Sequence, residues 1–341
     1  MPHERTSQLV FQCSGDLAGS LPESCSVAVS CYEAPGIRHL VATRLQNTLQ
    51  SLAGSGMDLR ALDGVTLTED CAAASMLIQK VPEGHVPLQM GEQPHTLEMA
   101  RTVPVWRNDE LRFHIVLRAG LGIGLLSKDK TFQTLAYACI AHEAAHVEHE
   151  GHLYRTFPDI YGIPIPCGDR SRNTFLKALD VWSEYAACRS SATFRPEAVE
   201  EFEKVFCRAL DDGLSFSGRC IADSESGADA TERLKDILQF FGDVFVYAGY
   251  FLGHLDGLRL DLEQHAPSAW SVLAEYPEVG AVVRRLHSNL QELWLHEFEW
   301  HSIEVFAPIY DVICSIMALH GFVLTKDELD WKIQLCRRGM G

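Results

Sequence analysis

Positive charge is scarce in this chain: 29 Lys and Arg stand against 46 Asp and Glu, a formal net charge of −17 over 341 residues. Such an acidic surface repels phosphate backbones and anionic lipid, which excludes nucleic acid and membrane surfaces as principal partners. Long hydrophobic runs are also missing, and no stretch approaches the roughly 20 apolar residues that cross a bilayer. The opening residues MPHERTSQLVFQCSG lack a basic start followed by an apolar run, so no secretory leader is expected. Eleven cysteines, an odd number without a CxxC pair, make no disulfide framework and fit reduced thiols. No fixed-period repeat signals a solenoid. These absences predict a soluble cytoplasmic protein, and 47% hydrophobic residues suffice for a large core or two lobes.

Against that background one motif stands out: His142-Glu143-Ala144-Ala145-His146, an HExxH. On a helix, residues four apart lie one turn above each other, so His142 and His146 can hold one metal between them. Glu143 projects about 100° round from His142, where its carboxylate reaches water rather than the metal. Zinc with a neighbouring carboxylate base is the equipment of metal-assisted peptide hydrolysis. The sequence from Thr131 to Glu150 reads as one helix, with Ser127 as N-cap and Asp129 in the first turn. Phe132, Ala136, Cys139, Ile140 and Val147 form an apolar stripe, with the histidines on a neighbouring one.

A catalytic zinc takes three protein ligands and keeps one position open. Two residues compete for the third place. Glu184 lies in NTFLKALDVWSEYAACR (173–189), which again has helical periodicity and would complete a His, His, Glu set from a second helix. Asp180, one turn earlier, can hold a ligand histidine from behind. The rival is His152, six residues after His146, at the spacing of the metzincin pattern HExxHxxGxxH. That pattern needs Gly three residues after the second histidine, where this chain has His149. It also needs a Met-turn, and no Met occurs between Met99 and Met317. The comparison favours Glu184.

With these residues the chain resembles the gluzincin branch of the zincin metallopeptidases, and more loosely the cytosolic ImmA/IrrE-type metallopeptidases. The likeness covers about residues 111–192 and rests on the HExxH and on Ser183-Glu184-Tyr185-Ala186-Ala187. It implies an edge strand beside the active-site helix to hold extended substrate, and LRFHIVL (111–117) fits that strand. The chain departs from the thermolysin-like pattern at Cys188, which replaces an acid expected four residues after the ligand Glu. Support behind the ligands must then come from elsewhere.

The remaining chain predicts an α+β fold: a small zincin-like domain over 1–195 and an α-helical domain over 196–341. Strands are expected at 25–31, 65–68 and 98–106, the last interrupted by Pro104, with a helix over 36–53 and a loop over 82–94. Helices are expected at 197–211, 231–255, 269–275, 279–306 and 308–320, and a loop at 218–230. The run Gly120-Leu121-Gly122-Ile123-Gly124 reads as a turn leading to the active helix, and the aromatics from Phe240 to Phe251 as core. His254, His287 and His320, and the HEFEWH run, read as ordinary helix histidines. For a transition-state donor the candidates are His149, Tyr154, Tyr161 and Tyr185.

The functional expectation is a zinc-dependent endopeptidase of gluzincin type, in which His142, His146 and Glu184 bind Zn2+ and Glu143 is the general base, with protein or peptide as substrate. Two alternatives share the metal: a partner-binding protein whose zinc only pins helices, and a hydrolase of non-peptide amides. Oligomeric state leaves no mark in the sequence.

Overall fold

A computed structural model describes residues 7–12, 20–79, 99–161, 171–224, 230–296, 298–326 and 331–335. The expected loop at 82–94 lies outside them. The fold is α+β, and the chain forms two compact units, Met1–Pro164 with Ser190–Arg195, and Ile165–Arg189 with Pro196–Gly341.

The first unit contains β1 (Ser7–Gln12), β2 (Ser24–Val29), α1 (Pro35–Gly54), β3 (Leu62–Thr68), α2 (Cys71–Ile78), β4 (Ala100–Arg107), β5 (Glu110–Arg118), α3 (Ala119–Leu126) and α4 (Lys130–Thr156). The strands make one mixed sheet in the order β1-β2-β3-β5-β4. β2, β3 and β5 run parallel, and β1 and β4 are antiparallel to their neighbours. Val27, Val29, Val65, Leu67, Ile115 and Leu117 alternate onto one buried face. Helices α1, α3 and α4 cover it. On the opposite face Cys71, Val103, Val105 and Val116 form a smaller core with Ala74 and Ile78 of α2.

Three expectations change here. LRFHIVL lies in β5, which is interior, paired with β3 on one side and β4 on the other, so the edge strand is β4. Its near-continuous burial follows from being covered on both faces. The glycine-rich run is the helix α3, not a turn. A Cβ at Gly122 would come within 2.4 Å of Leu67 and Tyr32, and one at Gly124 within 2.8 Å of the Ala136 Cβ, so the glycines allow close packing. Asp129, not Ser127, caps α4, its side chain accepting from Thr131 N at 2.9 Å, and Ser127 Oγ accepts from Asp129 N instead.

The second unit takes in most of α5 (Arg172–Ser191), then α6 (Val199–Ser224), α7 (Ala230–Leu258), α8 (Leu262–His265), α9 (Pro267–Glu275), α10 (Pro277–Leu295), α11 (Ala307–Leu319) and the hairpin β6 (Phe322–Lys326) with β7 (Trp331–Leu335). Phe241, Phe245, Tyr247 and Phe251 of α7 are buried as expected, with Phe251 stacked on Phe206 of α6. Trp182 of α5 meets Trp294, Phe298, Trp300 and Phe306 edge-on or tilted. α6 extends to Ser224, into the expected loop. The helix expected over 279–306 ends at Leu295, because the chain turns at Phe298 with φ 67°, a left-handed conformation that no helix continues through.

The C-terminal half of α4 is clamped from the segment after α1. Asp58 pairs with Arg60 at 2.6 Å and Arg155 at 3.0 Å, and its backbone N–H donates to Glu148 Oε1 at 2.9 Å. Burial pushes the Asp58 carboxyl up, but hydrogen bonds and charge from Arg60 and Arg155 outweigh it and bring the carboxyl from 3.8 to about 2. A carboxyl lowered by folding adds stability above its unfolded value, and that stability disappears as pH falls through the folded one. Thermal midpoints between about pH 4 and pH 2 should therefore lose a contribution of about 1–2 kcal/mol, reduced from the full shift because Arg60 is 55% exposed. Asp58→Asn should flatten that part of the profile; an unchanged acid slope would remove Asp58 from it.

Candidate metal centre

Helix α4 carries the first two candidate ligands, His142 and His146. The Nε2 atoms of His142 and His146 are 3.1 Å apart, with the rings perpendicular and their centroids 4.7 Å apart. Bonds of about 2.0–2.1 Å at tetrahedral angles place two zinc-bound nitrogens about 3.3 Å apart, so the pair is spaced for a shared metal. Ala141, Ala144 and Ala145 are fully buried, which lets this turn lie close to its neighbours.

Glu143, 6% exposed, is turned from the histidines toward the edge strand. Thr102 of β4 brings its hydroxyl to 2.8 Å from Glu143 Oε2 and 3.0 Å from Glu143's own carbonyl oxygen. A buried carboxylate is costly unless donors meet it, and Thr102 is one such donor. One turn earlier the Cys139 thiol is pushed up to about 11, by burial first and then by the charge of Glu143, with Arg195 opposing. It therefore stays a neutral thiol.

Glu184 sits on α5, whose last turn is joined to α4 by a hydrogen bond of 2.8 Å between Ser190 Oγ and His149 Nε2. His142, His146 and Glu184 each offer one ligand atom, and these atoms lie within 4.8 Å of one another. Among the described residues no fourth His, Cys, Asp or Glu joins the group. Two imidazole nitrogens and one carboxylate oxygen are a donor set that zinc accepts with a coordination position to spare.

The other residues singled out by the sequence take different positions. His152 Nε2 is 3.6 Å from Asp58 Oδ2, and burial first, then Arg155, hold its ring below the usual histidine range. Of the four donor candidates, His149 bonds Ser190, and Tyr161 donates to Glu150 with its ring against Phe113. Tyr154 packs edge-on against Trp106 and Tyr161, and Tyr185 donates to Asp256 at 2.6 Å. Asp180 is 53% exposed, 3.6 Å from Lys177. Cys188, buried, has its thiol raised by burial and then by the charge of Glu184, so it supplies no anion in place of the missing acid.

Thr102 is the residue that sequence reasoning missed. The only signal was alternation: Thr102, Pro104 and Trp106 occupy the face opposite Val103 and Val105. Thr102→Val keeps the shape and removes the hydroxyl from a buried carboxylate. It should lower stability by about 1–3 kcal/mol, read as a fall in thermal midpoint with metal content unchanged. An unaltered midpoint would mean that the bond carries no net stability.

No family model, no curated protein and no solved structure matches this chain, so the functional reading rests on the residues and their arrangement.

Proposed function

We propose that this protein is a zinc-dependent metallopeptidase, its first unit a zincin-like domain and its second an α-helical one. The observation that carries the reading is the paired arrangement on α4: two imidazole nitrogens 3.1 Å apart, beside a buried carboxylate held by Thr102. His142, His146 and Glu184 are the ligands in this reading. When bound, zinc supplies Lewis-acid activation of a water, lowering its pKa to about 7. Glu143 takes the proton as the water's oxygen bonds to the substrate carbonyl carbon, and returns it to the amine as the C–N bond breaks. A site that only pinned helices would need no such base, and would close its fourth position with a further protein ligand.

The free edge of β4 favours a peptide over a compact amide. Arg118 N donates to Met99 O and Phe113 N donates to Ala61 O, which sets the alternation along β4. The backbone groups of Ala100, Thr102, Pro104 and Trp106 therefore face away from β5, and among the described residues no strand pairs with them. An extended peptide adds to such an edge through main-chain hydrogen bonds. Thr102 faces both ways, its side chain to Glu143 and its backbone to the edge, so a peptide paired there runs past the base.

Two variants test the proposal. Glu143→Gln should bind one zinc per chain and lose peptide hydrolysis by at least about a hundredfold, the usual contribution of a general base; retained turnover would take Glu143 out of the reaction. Glu184→Ala should purify with far less zinc than wild type by elemental analysis. Equal zinc in both would remove Glu184 from the ligands.

A further inference from the structure

Residue 185, next to the proposed ligand Glu184, is the start of a polar network buried within the second unit. Tyr185 donates to Asp256 Oδ2 at 2.6 Å and accepts from Arg189 Nη1 at 2.5 Å. On α10, His287 Nε2 lies 3.0 Å from both Asp256 oxygens, and Gln291 donates to Oδ1 at 3.1 Å. Arg189, 3.5 Å from the same carboxylate, lies 4.6 Å over the Trp294 ring. Three helices thus meet on one carboxylate that is 9% exposed. Burial alone pushes Asp256 up, and the His287, Tyr185 and Gln291 bonds hold it below the ordinary carboxylate range.

The backbone of α5 is gripped along the same stretch. A Cβ on Gly249 of α7 would come within 2.7 Å of Val181 O, and one on Gly253 within 2.2 Å of Tyr185 O. These two glycines, one turn apart, bring α7 against the α5 main chain and fix its distance. Close approach leaves the rotation of α5 about its own axis to be set by side chains. That rotation matters for a ligand. A carboxylate about 5–6 Å from its helix axis moves about 1 Å per 10° of turn, whereas a zinc ligand tolerates about 0.2 Å.

We infer that the Tyr185–Asp256–His287–Gln291 network sets the rotation of α5 and thereby aims Glu184, which makes Tyr185 and Asp256 positioning residues for metal binding. This rests on the reading of Glu184 as a ligand. It also supplies the support that Cys188 cannot give, from the residue beside the ligand instead of one turn beyond it.

The test is Co2+ affinity and the visible cobalt spectrum of the full chain, for wild type, Glu184→Ala, Tyr185→Phe, Asp256→Asn and each of the last two combined with Glu184→Ala. Tyr185→Phe keeps the ring and loses only the hydroxyl with its bonds to Asp256 and Arg189, so it serves where Asp256→Asn disturbs folding. The expected result is an affinity loss of about tenfold, the lower end for outer-shell partners, and a shifted cobalt band for Tyr185→Phe and Asp256→Asn. In the Glu184→Ala background the same changes should cost nothing further, because the residue they aim is gone. Affinity unchanged in the single variants, or an equal loss with and without Glu184, would overturn the positioning role alone. Full affinity in Glu184→Ala would overturn the ligand assignment and this inference together.

Discussion

A buried carboxylate on α4 is the constraint around which the first unit is arranged. Moving an ionised group from water into a protein interior costs several kcal/mol unless donors meet it. Glu143 is buried, so the register of α4 against β4 must be the one that delivers Thr102 to Oε2. A slip by one residue would turn Glu143 about 100° away and present a different side chain to the strand. Once that register is set, His142 and His146 follow without further adjustment, because the helical spacing puts them on the adjoining stripe. The alanines at 141, 144 and 145 are fully buried, so the turn that carries Glu143 is packed on its other sides as well.

The same bond ties Glu143, the proposed base, to β4, an edge strand that no other strand pairs among the described residues. Pro104 is at home there, since its missing N–H would point away from β5 and no ladder bond is lost. An edge bearing proline is also a poor template for pairing another long strand. A short peptide can still use the donors of Ala100, Thr102 and Trp106 on either side of it. The strand edge and Glu143 are therefore coupled through Thr102, whose side chain meets Glu143 while its main chain faces the edge.

How far the sequence disclosed this differs by distance along the chain. The HExxH, its helix and the pairing of two imidazoles are local consequences of a 3.6-residue period, and His142, His146 and Glu143 were legible for that reason. Glu184 was legible too, as a carboxylate on the next helix of suitable period. The edge strand was not. Residues 111–117 read as a strand by β-formers at alternate positions, yet only the pairing partners decide which strand is interior. Pro104 is the available sign, but in the sequence it looks like an interruption of the strand instead of the mark of an edge. In the sequence the glycines of α3 suggest a turn, because glycine usually marks one. Here they are read by what they touch: Leu67, Tyr32 and the Ala136 Cβ leave no room for side chains. His152 has the metzincin spacing, but Asp58, which lies beside it in the fold, is 94 residues away and invisible to any local motif.

In the proposed zinc site Glu184 differs in kind from the two histidines, because it comes from a second helix. Two ligands on one helix hold their spacing through every movement of that helix. A third ligand on a separate helix depends on that helix's distance and rotation, neither of which a local motif controls. Apolar packing resists separation well, but its dispersion contacts are many, small and weakly directional, so a smooth apolar face permits sliding and turning. Glycines at 249 and 253 answer the first need by bringing main chain to main chain. Hydrogen bonds answer the second, because they lapse when donor and acceptor are misaligned. Asp256, 71 residues beyond Tyr185, is the acceptor that His287 and Gln291 of α10 also share. Turning α5 would leave that carboxylate short of a donor in a place where water does not readily replace it. In the positioning role inferred for this network, the loss of that hydrogen bond opposes turning of the helix that carries Glu184.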